Sequence, residues 1–227
     1  MAVTEVQLDE SQAHHDDHEE HHGSFVTNYI FSQDHKVIGK QFLITGIMWA
    51  ILGGGLSILF RLQLGFPDMD MEWLRPMLGE WITPNGKIDS EFYLALVTMH
   101  GNIMEFFVLT AGLSGTFSNF LIPLQIGARD MASGFMNMLS YWFFFLSSVI
   151  MLLSLFISTG PASGGWTIYP PLSALPQAMS GSGLGMTLWL ISMVFFIAST
   201  LLGGINYVTT IINLRTEGMT FTRLPLT

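Results

Sequence analysis

The stretch Gln41 to Phe60, QFLITGIMWAILGGGLSILF, holds no charged residue in its twenty positions. At about 1.5 Å per residue it crosses a hydrocarbon core of about 30 Å, so it reads as a transmembrane helix. Lys36 and Lys40 flank its start and Arg61 its end. The whole chain shares this character: of 227 residues half are hydrophobic and 11% charged, and the mean hydropathy is +0.48. That is too apolar for a soluble domain of this size. With its flanks the first helix covers about 38–63, and three further spans follow at about 92–121, 135–157 and 184–212. The expected fold is an all-α integral membrane bundle of four transmembrane helices. An even number of spans leaves both termini on one side. The short loops there carry Lys36, Lys40, Arg129, Arg215 and Arg223, against Arg61, Arg75 and Lys87 opposite, which predicts a cytoplasmic N-terminus.

The segments outside the spans have their own character. Residues 1–33 interleave Asp16, Asp17, Glu19 and Glu20 with His14, His15, His18, His21 and His22. Such a segment cannot bury enough apolar area to offset its ordering entropy, so a disordered cytoplasmic tail is expected, with binding of a divalent cation as the alternative. Residues 34–227 form the membrane part. Residues 64–91, with Pro67, Pro76, Pro84 and the turn Asn85-Gly86, read as an extramembrane loop with a short interfacial helix around Trp73. Residues 160–183 form a second outer loop, rich in Gly, Pro and Ser and carrying Trp166 and Tyr169, whose rings suit an interfacial belt. The net charge of -9 sits largely in the tail, where seven of the seventeen acids fall within the first twenty residues. Nucleic acid is excluded as a partner. Without cysteine, any metal must be held by His, Met or carboxylate.

One histidine lies inside a span. His100, in Thr98-Met99-His100-Gly101-Asn102-Ile103-Met104-Glu105, would be costly in hydrocarbon without a partner, which is either a neighbouring helix or a haem iron. Gly46, Ala50, Gly53 and Ser57 form a small-residue strip on the first helix, pointing towards Arg61, that suits a second helix or a flat cofactor. Ser199, Gly203, Asn206 and Thr210 line one face of the fourth span. Asn119, Asn137 and Ser140 add polar groups at the same inner depth, so the set either glues helices or holds a chain of waters. Asp130, in the inner loop beside Arg129, is an ordinary surface charge or a proton collector at the mouth of that path.

Seven strings in one order carry a resemblance: Asp34-His35-Lys36-Val37-Ile38-Gly39, Phe60-Arg61-Leu62-Gln63-Leu64-Gly65, Thr98-Met99-His100, the run from Ser118 to Ala132, the run from Asn137 to Trp142, the run from Gly165 to Leu172, and the run from Gly204 to Asn213. From about residue 34 to its end the chain resembles the N-terminal portion of subunit I of bacterial A-type haem-copper cytochrome c oxidases. The resemblance implies that His100 is an axial ligand of the low-spin haem, of the A type, and that Arg61 bonds a polar substituent of it while the small-residue strip packs on the porphyrin. It places Trp166 and Tyr169 in the loop near the haem propionates. It makes Asp130 the entrance of a D-type proton path whose waters are held by Asn119, Asn137, Ser199, Thr200 and Asn206. It further implies a proton-pumping oxidase that reduces oxygen with electrons from cytochrome c, in the cell inner (plasma) membrane, with oxidase subunits II and III and membrane lipid as partners.

Three positions depart from the family pattern. Phe42 stands where many members have a channel tyrosine, and Gln63 where several have a carboxylate of a peripheral cation site. Glu105 stands where an apolar residue is usual; five residues from His100, it lies about 140° around the helix and should not face the same haem edge. The second low-spin haem ligand, the high-spin haem ligand, the copper B ligands and the glutamate at the inner end of the D path belong to later helices of the family, so a fragment or one piece of a split subunit is expected, without an oxygen-reducing centre of its own. The rival readings are a proton or ion pathway with no redox role, with His100 as a relay, and a nitric oxide reductase-type relative. Asp130 with the amide stripe argues against the second.

Overall fold

The computed structural model describes residues 25–78, 82–157, 159–175 and 183–225. It divides into two units, Met1–Phe31 and Ser32–Thr227. Of the first, the described part is one widened helical turn, Val26–Ile30, with the Phe25 and Tyr29 rings 5.1 Å apart; the His- and acid-rich run of the tail lies outside the described residues. The second unit contains four helices long and apolar enough to cross a membrane: α1 (His35–Gly65), α2 (Ser90–Ile126), α3 (Gly134–Ser154) and α4 (Leu184–Asn213). No strand longer than a single bridging pair, Ile82 with Ile88, occurs among the described residues. The chain is an all-helical membrane protein.

The helix ends follow from local chemistry. Asp34 caps α1 by accepting from the Lys36 amide, Asp89 caps α2 by accepting from Glu91 and Phe92, and Ser133 caps α3 by accepting from Met136. These oxygens satisfy amides that have no partner inside the helix. α2 stops at Gly127, whose φ of 73° lies in the left-handed region. Its place is also spatially restricted, because a Cβ there would stand 2.2 Å from Thr216 Oγ1. The Thr216 amide and hydroxyl both donate to the Ile126 carbonyl at 2.9 Å, tying the segment after α4 to the end of α2. α3 ends at Ser154, short of the expected 157, and α2 runs on past 121 to Ile126.

α1 packs along α2 and α3 along α4, with lighter contacts of α1 with α3 and of α2 with α4. The α1–α2 approach is set by glycine. A Cβ on Gly46 would stand 3.0 Å from the Gly112 Cα, and one on Gly53 would stand 2.8 Å from an Ile103 methyl. The α3–α4 seam is set by serine. Ser140 Oγ donates to the Ser199 carbonyl at 3.0 Å while Ser199 Oγ donates back to the Ser140 carbonyl at 2.8 Å. Ser147 and Ser192 repeat the exchange at 2.7 and 2.8 Å. Small residues allow the backbones to approach, and each hydroxyl then finds a carbonyl across the seam. Phe42, Phe107, Phe144 and Phe196 fill the centre of the bundle.

α2 is not uniformly α-helical: Ile103–Leu113 is a π-helix between two α-helical halves, Ser90–Asn102 and Ser114–Ile126. The Thr110 hydroxyl donates to the Glu105 carbonyl five residues back, the spacing of that wider turn, at 2.8 Å. This corrects the expected direction of Glu105. Bonding from i to i+5 gives about 4.4 residues per turn, which swings Glu105 to roughly a quarter turn from His100 and nearly under Gly101. Both Gly101 and Glu105 are exposed in the described bundle.

In the loop between α1 and α2, Glu72–Leu74 and Arg75–Leu78 form short helical turns around Trp73. Arg75 grips Glu72 at 2.5 and 2.7 Å and the Thr83 carbonyl at 2.9 Å. The side chain of Gln63 accepts from the Ile88 amide at 3.0 Å, so it closes the loop against the end of α1.

Candidate haem and proton-path sites

His100 is half-buried on α2. Its Nδ1 donates to the Gly53 carbonyl of α1 at 2.8 Å, which leaves Nε2 as the nitrogen with a lone pair. A hydrogen bond from one ring nitrogen to a backbone carbonyl is the usual way an imidazole ligand is oriented and made more basic. The backbone beside the ring is bare on both helices, with nothing within 4 Å of where a Cβ would stand on Gly54 or Gly101. The donor set and the open ground next to it fit a flat macrocycle ligated through Nε2. Phe60 meets the His100 ring edge-on at 5.6 Å, and the Arg61 guanidinium stands 5.8 Å from the Phe60 centroid.

The small-residue strip divides. Gly46 and Gly53 are consumed by the contact with α2, so the expectation that the porphyrin packs along the whole strip fails there, because the two backbones approach too closely to admit a third layer. Ser57 accepts from Arg61 Nε at 3.1 Å. Arg61 itself is exposed and does not touch His100; Phe60 stands between them.

The loop after α3 reaches the same region. The Gly165 amide donates to Thr98 Oγ1 at 3.1 Å, two residues before His100. Trp166 meets Phe106 edge-on at 5.9 Å while remaining 63% exposed. Tyr169 follows at 72% exposed.

At the end of the bundle that carries Asp130 the polar residues separate by role. The Asn137 amide donates to Asn119 Oδ1, and Asn119 Nδ2 donates to the Gly115 carbonyl at 2.6 Å. Asn137 Oδ1 is fully buried and has no partner among the described residues. Asn206 clamps the backbone of Ser133, accepting from its amide at 2.9 Å and donating to its carbonyl at 3.2 Å. Thr210 accepts from the Ala132 amide at 2.9 Å. Ser199 takes part in the reciprocal serine exchange, and Thr200 Oγ1 donates to the Ile197 carbonyl at 3.0 Å. Ser199 and Thr200 nevertheless both line a cavity of about 200 Å³ one turn further into the membrane.

Asp130 is half-exposed, and its Oδ1 accepts from His35 Nδ1 at 2.9 Å and from the Met131 amide at 2.7 Å. The contact is with His35, a buried residue in the first turn of α1, although Arg129 is the neighbour in sequence. Residue-level reasoning missed His35 because it lies 95 positions away in sequence. The available signal was the string Asp34-His35-Lys36 itself. Asp34 Oδ1 also lies 3.6 Å from His35 Nδ1.

Comparison with known proteins agrees with this architecture. Residues 37–227 match the family model described as cytochrome C and quinol oxidase polypeptide I. The chain is 43% identical over 207 residues to an alternative cytochrome c oxidase subunit 1 of Bradyrhizobium diazoefficiens, covering 91% of this chain and 32% of that protein. It is 35% identical over 228 residues to cytochrome c oxidase subunit 1 of Cereibacter sphaeroides, covering 92% and 39%. A haem-copper oxidase subunit I+III of Aeropyrum pernix is 34% identical over 203 residues, covering 89% and 22%. The chain therefore spans 32%, 39% and 22% of the lengths of these three relatives.

Proposed function

The chain belongs to the cytochrome c and quinol oxidase polypeptide I family, and from that premise we propose that it is the N-terminal part of a proton-pumping terminal oxidase subunit that carries electrons from cytochrome c to oxygen. The observation that carries the reading is the hydrogen bond from His100 Nδ1 to the Gly53 carbonyl, which presents Nε2 beside bare backbone. In this reading His100 would hold the iron of a low-spin haem of the A type through Nε2. When bound, the haem supplies a one-electron iron couple. Gly53 fixes the tautomer of the ligand, Phe60 packs its ring edge, Arg61 stands ready for a polar substituent, and the loop bearing Trp166 and Tyr169 covers the outer side. The high-spin haem and copper B are assigned to the part of the relatives' length that this chain does not span.

Protons enter at Asp130 from the cytoplasmic side, where Lys36, Lys40, Arg129, Arg215 and Arg223 meet the inner leaflet of the cell's plasma membrane. The exposed carboxylate gathers protons because its charge raises their local concentration, and His35 holds it in place. Asn119, Asn137, Ser199, Thr200 and Asn206 shape the water path above it. Oxidase subunits II and III and cytochrome c complete the assembly, with lipid around the apolar faces.

The test is His100→Ala in the full-length subunit. Loss of the low-spin haem absorption with the helical fold retained is the expected result; a normal low-spin spectrum would remove the assignment and leave the proton pathway without a redox role.

A further inference from the structure

We propose that Thr98 is a positioning residue for His100: its hydroxyl seats the loop after α3 on the side of α2 opposite the imidazole, so that the turn carrying His100 is clamped between α1 and that loop. This rests on the reading of His100 as the haem ligand.

Two residues apart on an α-helix, Thr98 and His100 point about 200° away from each other, onto nearly opposite faces. One face is fixed by α1, whose Gly53 carbonyl accepts from His100 Nδ1 at 2.8 Å. The other is fixed by the loop, whose Gly165 amide donates to Thr98 Oγ1 at 3.1 Å. Thr98 is 8% exposed, so little water competes for that bond. Asn102, 1% exposed, braces the same face one turn on, its Nδ2 donating to the Thr98 carbonyl at 2.9 Å. Directly after Asn102 the helix passes into its wider π register, and the Ile103 amide is shared between the His100 and Met99 carbonyls. At such a junction the ladder of backbone bonds shifts by one carbonyl, so the rotation of this turn is set by its side-chain contacts as well as by the ladder.

A loop can hold a helix only if it is itself held. Thr159 Oγ1 accepts from the Gly185 amide of α4 at 3.3 Å, and Ala162 is fully buried. Ile168 is 5% exposed and belongs to the same apolar core as Met99 and Ile103. Its φ of 30° is one that a β-branched residue rarely adopts, and the burial of its side chain sustains it. Between these anchors Trp166 meets Phe106 at 5.9 Å, and Phe106 meets Phe196 of α4 at 5.5 Å. The loop is therefore an abutment built on α2 and α4, and the Thr98 hydroxyl is where it grips the turn of His100. A roll of α2 displaces the imidazole at its rim more than the backbone near its axis. A ligating group has to be held to within about 0.5 Å, which the two opposed bonds achieve together.

The experiment uses the full-length oxidase and compares wild type, Thr98→Val, Thr98→Ser, Thr116→Val and His100→Ala. Valine keeps the shape of threonine without the hydroxyl, and serine keeps the hydroxyl. Thr116 is a buried threonine whose hydroxyl bonds to the Gly112 carbonyl of α2 itself, so its variant controls for the loss of a hydroxyl that grips no loop. Three quantities are read: deuterium exchange of the peptide containing Gly165, the electron paramagnetic resonance signal of the oxidised low-spin haem, and its midpoint potential. In Thr98→Val, exchange is expected to quicken about fivefold, the scale of one hydrogen bond, with signal and potential shifted at full haem content. Thr98→Ser and Thr116→Val are expected to match wild type. Faster exchange with an unshifted signal and potential overturns the positioning role and leaves a structural contact. Unchanged exchange overturns the clamp, and so does a shift in Thr98→Ser or Thr116→Val as large as that in Thr98→Val. Thr98→Ala, read in the same way, replaces a valine form that does not assemble. A normal low-spin spectrum in His100→Ala overturns the haem reading and the proposal with it, whereas its loss there beside an unshifted Thr98→Val overturns the proposal alone.

Discussion

His100 owes its direction to one carbonyl, that of Gly53 at 2.8 Å, and that carbonyl is reachable only because residue 53 has no side chain to hold α1 away from Ile103 and Met104. Arg61 reaches the His100 site only through the Phe60 ring, 5.8 Å from its guanidinium and 5.6 Å from the imidazole. Arg61→Leu is therefore expected to leave the haem bound while shifting its absorption and potential, because a cation near the macrocycle tunes it without ligating. Spectra and redox titrations equal to the parent's would reduce Arg61 to a helix-end residue reaching for the interface. At the other end, His35→Ala takes the 2.9 Å contact from a half-exposed carboxylate. Solvent screening limits the stability cost to about 1 kcal/mol. The clearer effect is expected on proton uptake, which should slow less than in Asp130→Asn; equal slowing of the two variants would show that the imidazole carries protons as well as positioning the carboxylate.

The helices meet by two devices, and each makes its own prediction. Between α1 and α2 the contact is backbone on backbone, so Gly46→Val drives a branched side chain against the Gly112 Cα, 3.0 Å from its first carbon. Overpacking of this kind costs about 1–3 kcal/mol, and low-spin haem content should fall with it, because His100 and Gly53 lie across that seam. Between α3 and α4 the serine exchanges are redundant. Replacing Ser147 and Ser192 by alanine is expected to cost about 1–2 kcal/mol in a thermal or detergent unfolding assay and to leave proton pumping intact, since neither lines the cavity. The π-helical stretch of α2 has a different consequence. It turns Glu105, the one carboxylate well inside a span, towards the side of Gly101. Glu105→Leu in the full-length subunit is expected to shift the haem spectrum; an unchanged spectrum would assign the carboxylate to a contact with another helix of the assembly.

Across the whole molecule, the proposed function assigns the ends of α1 and α2 around His100 to electron transfer and the opposite ends of the four helices, around Asp130, to proton uptake. Much of this was legible in the residues. The uncharged run Gln41 to Phe60 determines a membrane helix, since hydrocarbon admits no unpaired backbone. A lone histidine at membrane depth marks a site, because an imidazole there needs a partner. The inner depth shared by Asn119, Asn137 and Asn206 also follows from helical spacing. Contacts between distant positions did not follow. That Asp130 meets His35 rather than its neighbour Arg129, and that Gly46 and Gly53 are used up against α2, depends on how close two backbones come, a quantity the order of residues does not state. The widened turn at Ile103–Leu113 was invisible for a related reason. A π-helix and an α-helix of the same apolar residues differ in hydrogen-bond register, and that register is decided by packing of α2 against α1. The cavity beside Phe42 is likewise a property of the packed bundle, since residues of all four helices line one space only once the helices are side by side.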